Sequence, residues 1–107
     1  MASKRGRTVQ SWRFPEGLLM KAVAIKLFDD GLRGQALEQR FAKIVPHWRD
    51  YFEKPISSAA ITQRADKARR YPHEFEAVRP FWEAAQKIVR AGKRLGKRDM
   101  RALVEQR

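Results

Sequence analysis

Apolar residues recur every three or four positions in four separate stretches of this 107-residue chain, and Pro or Gly punctuates those stretches. Leu19, Val23 and Leu27 form the first set, and Leu37, Phe41, Ile44 and Val45 the second. Ile61, Ala65 and Ala68 form a thinner third set, and Phe75, Val78, Trp82, Ala85 and Val89 the fourth. This spacing puts each set on one face of an α-helix. No stretch alternates apolar and polar residues with β-branched enrichment. The expected fold is therefore all-α, a small bundle of four to five helices with a helix-turn-helix-like core and basic flexible ends.

Punctuation sets the expected bounds. Helix 1 spans about 15–29, with Pro15 in its first turn, Glu16 at its positive end and Gly31 as its stop. Its apolar face is the broadest, so it should be the most buried. Helix 2 spans about 34–45 and ends at Pro46. A short aromatic turn holding Trp48, Tyr51 and Phe52 follows, closed by Lys54 and Pro55. Helix 3 spans about 58–70, with Ser57 or Ser58 as its cap and Pro72 as its stop. Helix 4 covers about 74–91, with Pro80 either kinking it or opening a separate helix at Phe81. Gly92 ends it, and residues 93–107 form a short amphipathic helix or a frayed tail. The expected organisation is a basic flexible arm over 1–13, a helical body over 14–91 and a basic C-terminal segment over 92–107. Trp12 and Phe14 would staple the arm to the body.

The net charge is +12, from 24 Lys and Arg against 12 Asp and Glu, and the surplus is clustered. Lys4, Arg5, Arg7 and Arg13 meet no acid in residues 1–13. Between 54 and 73, Lys54, Arg64, Lys67, Arg69 and Arg70 meet only Asp66. Residues 87–107 hold eight bases against Asp99 and Glu105, whereas 14–53 is balanced. A neutral apolar body with basic segments suits a polyanion, and nucleic acid is the commonest. The chain has no cysteine, so disulfides and thiolate zinc sites are excluded and a reducing cytosol is the default setting. No apolar run reaches membrane-spanning length. The basic start resembles a signal peptide weakly and a transit peptide somewhat better, but the apolar segment after it reads as core. A chain this short gains stability by dimerising, so a homodimer is expected.

The segment from Ser57 to Arg70 is the main site candidate. Gln63, Lys67 and Arg70 share one face, Arg64 lies beside them, and Ser58 and Thr62 lie toward the N-terminal end. Gln pairs with adenine and Arg with guanine in a major groove, while Lys67, Arg69 and Arg70 suit phosphates. The N-terminal half of a recognition helix usually faces the bases, which favours Thr62, Gln63 and Arg64. Arg5 and Arg7 resemble a minor-groove arm. Lys93, Arg94, Lys97, Arg98 and Arg101 are placed to grip the backbone. One departure is visible: a helix-turn-helix joins its helices by about three or four residues, and here Pro46 to Ser57 intervenes. Either the aromatic turn is the true second helix, or the motif carries an insertion.

Other chemistry lacks support. His47 and His73 show no paired-ligand spacing, so no metal is expected, and no cofactor either. Ser57, Ser58 and Thr62 have no candidate base nearby, so catalysis is not expected. Asp29 and Asp30 oppose the dipole of helix 1 and suit a basic docking segment or plain solvation. The aromatic residues read mostly as core, with Trp48 the one most open to base stacking. The sequence thus points to a sequence-specific double-stranded DNA-binding protein, a transcriptional regulator or a DNA-recognition subunit of a bacterium or phage, located in the cytoplasm on the nucleoid. The alternatives are an RNA- or ribosome-associated basic protein, and a small inhibitor or adaptor that grips an acidic partner through an apolar face of helix 1 or helix 4.

Overall fold

The computed structural model describes residue 12, residues 14–52 and residues 55–105. Within them the chain forms α1 (Pro15–Asp29), α2 (Gly34–Ile44), a 3₁₀ turn (Trp48–Tyr51), α3 (Ala59–Arg70), α4 (Pro72–Ala91) and α5 (Lys97–Glu105), with no strand. The expected all-α bundle is the observed fold. Arg5, Arg7 and the rest of the expected N-terminal arm except Trp12 lie outside the described residues.

α1 is the centre of the bundle. Leu19, Met20, Ala22, Val23, Ala24, Ile25 and Leu27 are all buried, so the helix is enclosed on nearly every side. α4 and α3 make its broadest contacts, and α2 and α5 complete the shell. α2 contributes Leu37, Phe41 and Ile44, and α3 contributes Ile61, Ala65 and Ala68. α1, α2 and α3 each touch the other two, forming a three-helix unit with α4 laid against it.

Trp12 belongs to this core. Its ring lies 4.9 Å from Phe52 and 6.2 Å from Trp48, and Phe41 meets Trp48 edge-on at 5.8 Å. Such stacked and edge-on pairs add to the area they bury. Phe14 meets Phe52 at 5.9 Å, so the expected staple ahead of α1 is present. Gly17 allows that approach: a Cβ there would lie 2.7 Å from the Phe14 ring and 3.0 Å from the Trp12 carbonyl carbon.

Prolines shape the second half. Tyr71 alone separates α3 from α4, in an extended conformation (φ −121°, ψ 110°) that suits a residue preceding proline. Pro72 both ends α3 and occupies the first turn of α4, so α4 begins two residues before the expected 74. α4 then runs through Pro80 as one helix of 20 residues and no second helix opens at Phe81. Pro80 and Glu76 are both exposed, so water can satisfy the Glu76 carbonyl that the proline leaves without a donor. Gly92 turns the chain in the left-handed region (φ 67°), and its N–H donates to the Ile88 and Val89 carbonyls.

The C-terminal segment is docked. Leu95 and Met100 are buried in the common core, and the Leu95 N–H donates to the Ile44 carbonyl at 2.6 Å. Of the two forms left open for 93–107, the described part is a short helix, α5. Between α2 and α3 the connection covers residues 45–58, and its described residues contain only a four-residue 3₁₀ turn. The connection is several times longer than the ordinary helix-turn-helix turn of about three or four residues.

Candidate nucleic-acid interface

α3 is held from one side. Ile61, Ala65 and Ala68 bury a stripe whose small side chains let the helix lie close to α1. Gln63, Lys67 and Arg70 are exposed along the outer edge, and Arg64 is half-buried beside them. Gln63, Arg64 and Lys67 have no side-chain hydrogen bond or ion pair among the described residues. Their polar groups are therefore open to an external partner.

Arg69, Arg70 and Ser58 are engaged within the protein. Arg69 holds Asp29 with both ends of its fork, Nε at 2.9 Å and Nη2 at 2.5 Å. Its guanidinium also lies 4.6 Å from the Phe75 ring and 5.5 Å from the Trp82 ring. This bidentate, stacked arrangement locks α3 to α1 and α4, so Arg69 serves the fold. It also neutralises Asp29, the acid that opposes the dipole of α1. Arg70 pairs with Asp66 at 2.8 Å, both exposed, which is a weak tie that a phosphate can replace. The Thr62 hydroxyl is shielded from solvent and has no hydrogen-bond partner among the described residues, so it does not face a groove. The Ser58 hydroxyl accepts from Arg49 Nη2 at 2.7 Å. The cap bond comes instead from Ser57, whose hydroxyl accepts the Ala59 N–H at 3.1 Å.

The 3₁₀ turn couples this helix to the C-terminal segment. Arg49 reaches forward to Ser58 and to the Ile56 carbonyl at 3.3 Å, with its guanidinium 4.4 Å from the Trp48 ring. Asp50 reaches the other way, to Lys97 at 3.3 Å. Trp48 itself is buried, so it belongs to the core and is not a base-stacking platform. Lys93, Arg94 and Arg98 are exposed and unpartnered among the described residues, as is Arg101. His47 sits beside this cluster, its ring 5.5 Å from that of Tyr51 and its Nε2 3.3 Å from the Tyr51 hydroxyl. It does not pair with Asp50. Burial, then Lys97, hold its pKa below the ordinary value of 6.5, with Arg94 acting the same way and Asp50 opposing.

Two contributors escaped the sequence reading. Tyr71 is 45% exposed, the one large hydrophobic side chain so open among the described residues, and it adjoins Arg70 at the α3–α4 corner. Its place before Pro72 was the available signal, since an extended residue between two helices projects from the corner. Arg49 carries no signal of its own in the sequence. Its role depends on the fold of the connection, which local spacing does not encode.

No transmembrane candidate exists among the described residues: no helix is long and apolar enough to cross a membrane. Comparison with known proteins finds no family model, no curated protein and no solved structure that matches this chain.

Proposed function

We propose that this chain binds double-stranded DNA, with the outer edge of α3 in the major groove and the basic C-terminal segment on the flanking backbone. The observation that carries the reading is the division of labour on α3. The side suited to packing is clamped by Ile61, Ala65, Ala68 and Arg69, while Gln63 and Lys67 stand exposed on the opposite edge with Arg64 half-buried beside them, none with a hydrogen bond or ion pair among the described residues. Gln63 and Arg64 are the base-reading residues, and Lys67 and Arg70 hold phosphates. The mutual packing of α1, α2 and α3 supports presentation of a rigid helix to the groove. A transcriptional regulator or a DNA-recognition subunit uses a domain of this kind, as a monomer or a homodimer, on the nucleoid of a cytoplasm.

Recognition of RNA is the second reading, favoured by Tyr71. Its exposed ring, next in sequence to Arg70 and 6.1 Å from the His73 ring, suits an unstacked base. The protein-partner alternative loses its surface in α1, whose apolar residues lie in the core. A titration at two salt concentrations against random duplex DNA, structured RNA and an acidic protein separates the three. Duplex binding that weakens steeply with salt and persists against excess RNA is the expected result. Preference for the structured RNA would move the assignment to the second reading, and preference for the acidic protein would overturn both.

A further inference from the structure

Lys87 on α4 and Lys93 and Arg94 on the loop after it stand around one open cavity of about 300 Å³. That volume is at the small end of ligand pockets, which run from about 300 to 1,000 Å³. Ile88, Ala91 and Leu95 supply apolar wall. The loop is fixed at both ends, by the Gly92 turn and by the Leu95 bond to Ile44. None of the three cations has a hydrogen bond or an ion pair among the described residues. Elsewhere Lys21, Lys26, Arg69, Arg70, Arg79 and Lys97 each hold a carboxylate. One carboxylate, Asp99, also lines the cavity, and it is occupied by the Gly96 N–H at 3.2 Å.

We propose that this cavity is a phosphate seat, in which Lys87, Lys93 and Arg94 converge on one phosphate group of a nucleic-acid backbone or of a free phosphate ester. Three cations against one carboxylate and an apolar wall leave a net positive charge that favours a compact multivalent anion, and phosphate takes charge-assisted hydrogen bonds from both ammonium and guanidinium donors. Lys87 is the new member, because it joins a helix outside the basic C-terminal segment to that segment's two cations. The same cations also complement the negative end of α4, and a purely structural role of that kind shifts stability without giving phosphate affinity. The nucleic-acid source of the phosphate rests on the reading of α3 above, but the seat does not.

The test therefore has two arms. Inorganic pyrophosphate is titrated into the full chain while backbone amide shifts are followed. Saturable shifts confined to residues 87–99, absent in the Lys87→Gln/Arg94→Gln variant and tightened several-fold in Asp99→Asn, are expected. Small unsaturable shifts spread over every basic segment, or wild-type shifts in the double variant, overturn the seat. The native amide spectrum of each variant checks its fold. In the second arm the double variant binds a duplex across a salt series, and the slope of log K against log salt should flatten by about 0.9 per lost contact. Localised pyrophosphate binding with an unchanged duplex slope assigns the seat to free phosphate esters. Localised pyrophosphate binding with no duplex binding at any salt retires the reading of α3 and leaves the seat standing.

Discussion

Lys21 puts an ammonium group among the buried residues of α1, and its side chain is only 5% exposed. Glu74 answers it from the first turn of α4 at 2.6 Å, itself 13% exposed. Removing one partner of a shielded pair leaves an uncompensated charge, at a cost of about 3 kcal/mol. Glu74→Gln should therefore lower the melting temperature by several degrees, whereas the double change Lys21→Met/Glu74→Gln should recover most of the loss. The hydrogen bond from Lys21 holds the Glu74 carboxyl below its ordinary range, against the opposing effect of burial. A depressed carboxyl contributes stability that is complete above its ordinary pKa and drains away as pH falls through the native value. Acid unfolding followed by circular dichroism should accordingly show a shallower loss in Glu74→Gln than in the wild type; parallel curves would remove Glu74 from the account. Gly17 gives a second expectation at this scale. Alanine is ordinarily the better helix former by about 1 kcal/mol, yet here its methyl meets the Phe14 ring and the Trp12 backbone. Gly17→Ala should destabilise the chain and change its tryptophan fluorescence, and a stabilised variant would contradict the staple.

Among the elements, α4 carries the clearest unspent stability. Pro80 withholds a donor from the Glu76 carbonyl inside a continuous helix. Pro80→Ala should raise stability by about 1 kcal/mol or more, measured by urea unfolding, and a neutral or destabilising outcome would mean that the proline fits a bend the helix needs. The elements also show what spacing could and could not reveal. α1, α2 and α3 lie where apolar periodicity and Gly or Pro punctuation put them, because those signals are local, whereas α5 is one of the two forms left open for the C-terminal segment. Pro72 misled in one respect: it was read only as the end of α3, although the same fixed φ that stops one helix opens the next. Of the site, Gln63, Lys67 and Arg70 share an exposed edge as their spacing required. Arg69, three positions from Asp66 and one from Arg70, gave no local sign of its bond to Asp29, forty positions away in sequence. Thr62 and Ser58 were chosen for their place near the N-terminal end of α3, and tertiary packing and Arg49 decide their environment instead.

As a whole, the molecule measures 43 × 26 × 26 Å. Its long dimension exceeds one turn of B-form DNA, about 34 Å, so the proposed binding mode calls for a footprint of at least about one turn per protomer. Duplexes shortened below about 10 base pairs should lose affinity sharply, read by fluorescence anisotropy, while longer duplexes should gain only in proportion to added sites. The Lys97–Asp50 and Arg49–Ser58 contacts tie the C-terminal segment and α3 to one connection, which gives the two basic regions a common support. The central claim is that α3 reads bases, and selection from a random duplex pool followed by titration of Gln63→Ala and Arg64→Ala tests it most directly. Enrichment of a preferred site, with each variant losing about 1–3 kcal/mol on that site and little on a scrambled duplex, is the predicted result. Equal loss on both duplexes, or a pool that yields no preferred site, would contradict it.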